Sequence, residues 1–324
     1  MSQSPPPVVS RLAPTPSGYL HLGNAVNFVL TWLLVRRAHG TLHLRIDDLD
    51  RARLRPAYLE NIFRTIAWLG LDYDHGPSGP DDFERHYSQQ HRLAEYQQLL
   101  DQLRAVPGLL YACRCSRADI LRATPHGLYA GTCRPQQVPF DTPETAWRAH
   151  VPKALRVQFP DLWQGSVTVP LAAELGDLVV RKKDGTAAYQ IGSLVDDVRL
   201  DTNLIVRGLD LLPSTAAQLW LAAQLPTTRP FLSTQFVHHP LLPAAGGQKL
   251  SKSQQQELDR GIMGEAASPQ PVYAAVARLL GLPEAAGHSL EALRGAFEVS
   301  GLLLLSGAAG NAQIQEHQPP GTVG

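Results

Sequence analysis

The first forty residues set a pattern of strand, loop and helix. Val8 to Leu12 is a mainly apolar run, a loop with two prolines and a glycine follows, and a long apolar segment then ends near Gly40. Between Gly23 and Arg37, the residues Val26, Phe28, Val29, Leu30, Trp32, Leu33, Leu34 and Val35 cover most of a helix circumference, which predicts a helix buried in the fold. Arg36 and Arg37 fall in its last turn and Gly40 closes it. Thr41 to Ile46 predicts a strand, completing a βαβ unit with a right-handed crossover. A second helix is predicted from about Pro56 to Leu69, with Tyr58, Ile62, Phe63, Ile66 and Leu69 at helical spacing.

Further along, His75 to Pro80 is a loop, and Leu93, Tyr96, Leu99, Leu100 and Leu103 mark another amphipathic helix. Ala154–Phe159 and Gly176–Arg181 predict short strands, the second entering a turn at Lys183-Asp184-Gly185. Leu204-Ile205-Val206 predicts a parallel strand followed by Arg207 and Gly208, a repeat of the opening pattern. The economical architecture is an α/β fold: a Rossmann-type parallel sheet in two halves (8–78 and 178–247), with an inserted subdomain at 79–177. A small helical region follows at 248–305, with stripes at Val272, Val276, Leu279 and Leu280 and at Leu293 and Phe297. The tail 306–324 has little apolar content and is expected to be disordered.

A chain of 324 residues can bury a substantial core. Lys+Arg and Asp+Glu both number 29, so no whole-surface attraction to nucleic acid is indicated, and an RNA partner has to be inferred from motifs. No stretch approaches the length of a membrane span, and Met1 to Pro7 lacks the pattern of a secretory leader, so a cytoplasmic protein is expected.

Candidate chemistry gathers at four places. The joint before the first long helix offers helix N–H groups at the positive end of the dipole, a donor in His21, close approach at Gly23 and a fixed charge in Arg11. It is either a phosphate site or an ordinary βα connection. Asp47, Asp48 and Asp50 lie past the end of the second strand, where they could meet a ligand amine or ribose hydroxyls, or cap the next turn. All three cysteines, Cys113, Cys115 and Cys133, lie in one short segment, which suits one structural Zn²⁺ per chain better than a disulfide framework. By ligand chemistry alone His126 is the obvious fourth donor. Lys249-Leu250-Ser251-Lys252-Ser253, approached through Gly246-Gly247, suits a mobile clamp for phosphates.

His21-Leu22-Gly23-Asn24 together with Lys249-Leu250-Ser251-Lys252-Ser253 resembles the paired signatures of class I aminoacyl-tRNA synthetases. Arg11 to Gly18, Leu44-Arg45-Ile46-Asp47-Asp48, Ala188-Tyr189-Gln190 and Val206-Arg207-Gly208 are similar to blocks of the glutamyl-tRNA synthetase group. Cys113, Cys115, Tyr129 and Cys133 match the zinc signature of its short paralogue, which transfers glutamate to queuosine in tRNA(Asp). The resemblance implies Tyr129, and not His126, as fourth zinc ligand. It further implies His21 and Lys252 as catalytic groups; Arg11, Leu12, Ala13, Pro14, Thr15, Asp47, Tyr189 and Arg207 around glutamate; and His21, Gly23, Asn24, Lys249 and Lys252 around ATP with Mg²⁺. The implied partners are ATP, L-glutamate and queuosine-bearing tRNA(Asp), with no membrane, for a monomeric enzyme. The sequence departs from the pattern at Asn24, which stands where a second histidine is usual, and at Asp47, which replaces the usual Glu. Rival readings are a truncated glutamyl-tRNA synthetase charging an acceptor end, a small-molecule adenylyltransferase and a non-catalytic RNA-binding paralogue.

Overall fold

The computed structural model describes residues 6–124, 127–242, 261–299 and 312–316. In chain order the main elements are β1 (Val9–Leu12), α1 (Leu22–Arg37), β2 (Thr41–Leu44), α2 (Pro56–Trp68), α3 (Leu93–Ala105), β3 (Leu110–Cys113) and α4 (Arg117–Ala123). There follow β4 (Ala146–Ala149), β5 (Leu155–Asp161), β6 (Gly165–Pro170), α5 (Leu171–Leu175), β7 (Leu178–Arg181) and α6 (Tyr189–Arg199). The last are β8 (Leu204–Gly208), α7 (Leu212–Ala222), β9 (Gln235–His239), α8 (Ile262–Glu265), α9 (Gln270–Leu279), α10 (Leu290–Val299) and β10 (Gln313–Glu316).

Contacts divide the chain into two compact units. The first comprises Met1–His91, Thr202–Leu209 and Phe236–Gly307. Its centre is the parallel pair β1–β2, in the register Val9↔Thr41 to Leu12↔Leu44. The ladder runs on past both strands, because the N–H groups of Arg45 and Asp47 donate to the carbonyls of Leu12 and Pro14, each at 2.9 Å. On the other side of β1, Asn203 donates its backbone N–H to Val9 O at 3.0 Å and accepts the Val9 N–H on Oδ1 at 2.8 Å, which seats the start of β8. β9 lies beside β8.

The crossover helix α1 buries ten of its sixteen residues, as its all-round apolar composition requires. Its descent into β2 is tight: a Cβ on Gly40 would stand 2.4 Å from Val8 O. α2 starts with Pro56 in its first turn, where the missing N–H costs nothing. Tyr273 on α9 donates its hydroxyl to Leu69 O at 3.1 Å, fastening the C-terminal helices to the end of α2.

The second unit comprises Arg92–Asp201, Asp210–Gln235 and Ala308–Gly324. It holds an antiparallel sheet, β3–β4–β7, and an antiparallel set in which β5 pairs with β6 and with β10. α3 and α6 are joined by a buried ion pair, Arg92 Nε to Asp196 Oδ1 at 3.0 Å, to which Tyr96 adds its hydroxyl at 3.0 Å.

Two features differ from the sequence-based segmentation. The stretches 178–201 and 210–235 group with the second unit and 79–91 with the first, and β7 completes the β3–β4 sheet as an antiparallel strand. Within the tail expected to be disordered, Gln313–Glu316 pairs with β5, placing Ile314 opposite Val157. A four-residue strand with one apolar residue carries no periodic signal; the open edge of β5 supplies the hydrogen bonds that order it. No helix among the described residues is long and apolar enough to cross a membrane.

Candidate active site

The joint between β1 and α1 is a helix cap built from the expected residues. His21 occupies the N-cap in extended conformation, and its Nδ1 accepts the N–H of Gly23 at 3.1 Å. In return Asn24 Oδ1 accepts the N–H of His21 at 3.0 Å, so the two side chains form a reciprocal capping box. Asn24 thereby acquires a structural role that the sequence left open. Because Nδ1 is an acceptor, Nε2 is the donor nitrogen of the neutral ring. A Cβ at Gly23 would stand 3.1 Å from His21 Cε1 and 3.2 Å from Nδ1, so the glycine is needed for the ring to fold back over the cap. α1 carries no acidic residue in its first turn, which leaves its positive end uncompensated from within the turn and suited to an anion.

The same unit holds a row of buried charge. Arg11 (4% exposed) faces His43 across the β1–β2 register, and Arg45 and Asp47 follow at two-residue spacing on the continuing ladder. Arg45 grips Asp47 through Nε–Oδ1 at 2.7 Å and Nη2–Oδ2 at 3.1 Å, with both residues buried. The two-point grip orients the Asp47 carboxylate. Arg207, at 3% exposure, stands on β8 of the same unit. Leu12 is fully buried, and the carbonyls of Leu12 and Pro14 serve the ladder; Ala13 is half-buried and Thr15 exposed. Tyr189 opens α6 in the second unit with 40% of its surface exposed. Lys249 and Lys252 lie outside the described residues.

Of the three aspartates after β2, Asp48 has no exposed surface and is fully engaged. It accepts from Ser88 Oγ at 2.6 Å, the Gln89 N–H at 2.8 Å and Arg51 Nη1 at 2.8 Å, which makes it a tie between two loops. Asp50 precedes a short 3₁₀ turn and gives no side-chain cap.

In the second unit the three cysteines converge. Their Sγ atoms all lie within 4.8 Å of one another, with Cys115 and Cys133 3.5 Å apart, too far for a disulfide. The Tyr129 oxygen is 3.3 Å from Cys113 Sγ and 3.9 Å from Cys115 Sγ, and accepts the Cys133 N–H at 2.8 Å. Four ligands on a tetrahedral Zn²⁺ at about 2.3 Å stand roughly 3.8 Å apart, so this donor set fits the ion. Burial would raise the Cys133 thiol, but the Tyr129 hydroxyl and a backbone hydrogen bond from Arg114 outweigh it and draw it down to about 7. Burial and the Cys133 contact push Cys115 up to about 11. Burial, with Cys113 alongside, also raises Tyr129, so its phenol stays protonated unless a cation displaces the proton. His126 lies outside the described residues.

With this geometry in place, comparison with known proteins decides the family. A family model described as "tRNA synthetases class I (E and Q), catalytic domain" matches residues 7–307. The chain belongs to this family. It is similar to the Glutamyl-Q tRNA(Asp) synthetase of Symbiobacterium thermophilum, 40% identical over 288 residues, 84% of this chain and 86% of that protein. The same-named protein of Burkholderia mallei is 39% identical over 299 residues, 88% of this chain and 93% of that one. Glutamate–tRNA ligase 2 of Acidithiobacillus ferrooxidans is 37% identical over 75% of this chain but only 52% of its own length. A crystal structure of the glutamate-tRNA synthetase from Elizabethkingia anophelis shares the fold at a TM-score of 0.70 and 23% identity, covering 90% of this chain and 66% of that one. The protein is thus a ligase with the Rossmann-like α/β fold and parallel sheet of class I synthetases.

Several residues of this synthetase site escaped the sequence reading. For Arg45 the signal in the sequence is its two-residue spacing from Asp47 along a strand, since alternate residues share a face. Behind the cysteines, Arg148 lays its guanidinium 4.0 Å from the centre of the Tyr129 ring and donates to Asp177 O at 2.8 Å. The Asp177 carboxylate takes the Tyr111 hydroxyl at 2.5 Å, Arg134 Nη2 at 2.5 Å and the Val151 N–H at 2.9 Å. Gly176, at φ +62°, packs where a Cβ would meet Tyr129 O at 3.1 Å. No local pattern announces these partners.

Proposed function

We propose that the enzyme activates glutamate with ATP, without RNA, and transfers the glutamyl group to queuosine at the wobble position of tRNA(Asp). The observation that carries this reading is the His21–Gly23–Asn24 cap in the same unit as the buried Arg11, Arg207 and Asp47. An anion-binding helix start and a set of two cations with one acid suit ATP and an amino acid with two carboxylates.

In the activation step the α-carboxylate of glutamate attacks the α-phosphorus of ATP; the acyl–phosphate bond forms and pyrophosphate leaves. Both reactants are anions, so the protein's task is alignment and charge neutralisation. His21 Nε2 and the positive end of the α1 dipole, approached closely at Gly23, stabilise phosphate oxygens. Lys252, with Lys249, is assigned to the departing pyrophosphate on resemblance. Arg11 and Arg207 take the carboxylates, and Asp47, held by Arg45, takes the ammonium group; Ala13 to Thr15 and the Tyr189 hydroxyl are assigned to orienting glutamate. Bound with ATP, Mg²⁺ would supply positive charge to the phosphates. A ring hydroxyl of queuosine then attacks the acyl carbon, an ester forms and AMP leaves. Cys113, Cys115, Tyr129 and Cys133 are assigned to one structural zinc, and the protein to the cytoplasm as a monomer.

A second reading, charging of an ordinary acceptor end, is favoured by the similarity to a glutamate–tRNA ligase. Glutamate-dependent ATP–pyrophosphate exchange without RNA tests the activation, and transfer to tRNA(Asp) carrying queuosine or guanosine at the wobble position tests the acceptor. Exchange without RNA and transfer only to the queuosine form are expected. Absence of exchange sinks the activation chemistry, and transfer indifferent to queuosine favours the second reading.

A further inference from the structure

The capping histidine must arrive at the start of α1 in one conformation, and the residue before it shows how. Leu20 is buried, and both of its backbone groups are held from outside its own segment. Its N–H donates to Asn61 Oδ1 at 2.9 Å, and its carbonyl accepts the N–H of Ile262 at 2.8 Å. Asn61 sits on α2 at 5% exposure, one turn before the buried Thr65. One turn earlier Tyr58 meets the edge of Tyr19, with ring centroids 5.0 Å apart at 82°. α2 therefore grips Tyr19 through a ring and Leu20 through an amide.

The second grip is equally tight. Gly261 adopts φ +66°, and a Cβ there would stand 2.8 Å from Tyr19 Cβ and 3.0 Å from Leu20 O. A buried amide is costly unless its hydrogen bonds are made. What asparagine adds is an acceptor for a buried N–H one residue ahead of His21. Farther along α1, Asn27 meets His239 Nε2 at 3.3 Å, so the first turns are tethered at both ends of this stretch.

We infer that Asn61, which nothing in the catalytic signatures includes, is a positioning residue for nucleotide binding: through Leu20 it sets the backbone from which His21 caps α1 and faces the phosphates. This rests on the reading that the α1 start binds ATP. Its effect should be lopsided, because Arg11, Arg45 and Asp47 are held by a different ladder and do not depend on Leu20.

The test compares Asn61→Leu, which keeps bulk but removes the acceptor, with Asn61→Asp, which keeps an acceptor at the same reach. Amide hydrogen exchange at Gly23, whose N–H is held by His21 Nδ1, reports the cap without any nucleotide. ATP–pyrophosphate exchange reports the KM values of ATP and glutamate. In Asn61→Leu the expected result is lost protection at Gly23 with protection retained at Val29 in mid-helix, a KM for ATP raised at least fivefold and a KM for glutamate changed less than twofold. Asn61→Asp should restore the Gly23 protection. Unchanged Gly23 exchange, parallel rises in both KM values, or an aspartate variant as impaired at Gly23 as the leucine one would each overturn the inference. If Asn61→Leu does not fold, Asn61→Ser, too short to reach Leu20, carries the same expectations. Lack of exchange activity in the unaltered enzyme would sink the ATP reading alone, leaving the Gly23 measurement to decide the structural link.

Discussion

Arg45 holds Asp47 by a two-point grip, Nε to Oδ1 at 2.7 Å and Nη2 to Oδ2 at 3.1 Å, in a setting where each is less than a tenth exposed. Removing one partner of such a buried pair takes a two-point, charge-assisted contact away from the other. Arg45→Met is therefore expected to destabilise the fold by about 3–5 kcal/mol. Replacing both, as Arg45→Met with Asp47→Leu, should recover most of that loss while abolishing activity. Urea unfolding of the two singles and the double closes the cycle; a single variant within about 1 kcal/mol of the parent would show that the pair is not a linked unit.

Gly23 separates stability from function. An alanine there gains helix propensity worth about 1 kcal/mol, and loses the His21 cap, worth about 1 kcal/mol, because its Cβ would crowd the ring at 3.1 Å. The two terms cancel, so the melting temperature of Gly23→Ala should barely move. The displaced His21 should nevertheless raise the KM for ATP at least tenfold. A variant with unaltered ATP kinetics would show that the ring can give way without cost to the site.

Zinc content discriminates between the two candidate fourth ligands. Tyr129→Phe removes the oxygen that lies 3.3 Å from Cys113 Sγ and should lower bound zinc and thermal stability together. His126→Ala should leave both unchanged. Elemental analysis of purified variants reads the outcome directly, and the reverse pattern would assign the metal to the imidazole.

Two histidines give the fold a pH dependence above the carboxylate range. Burial, then the neighbouring His75, holds His43 below its ordinary value; burial, then Arg134, does the same for His150. A group with a depressed folded pKa is protonated more readily in the unfolded chain. Its stabilising contribution is therefore complete above the unfolded value of about 6.5 and is lost as pH falls through the lower folded value. Stability should decline as pH drops below about 6.5, and His43→Gln with His150→Gln should flatten that slope. Equal slopes in parent and double variant would contradict the assignment.

Lys252→Ala should depress the rate of ATP–pyrophosphate exchange far more than it weakens glutamate binding, as expected of a charge that acts on the leaving pyrophosphate. Equal losses in both would contradict that role.

What could be read along the chain was whatever is carried by residues close together in sequence. The His21, Gly23 and Asn24 cap lies within four positions, the buried helix α1 announces itself by its all-round apolar composition, and Cys113, Cys115, Tyr129 and Cys133 fall within one short segment. Short-range geometry of helix and strand fixes such relations before any packing occurs. Folding alone decided the rest. The Leu20–Asn61, Asp48–Ser88 and Tyr111–Asp177 bonds join residues 41, 40 and 66 positions apart, and the assignment of β7 and the edge strand β10 depends on which backbone edge lies within reach. A buried polar side chain looks the same in sequence whether it faces a partner or water; only the packed chain supplies the one group that makes its burial affordable.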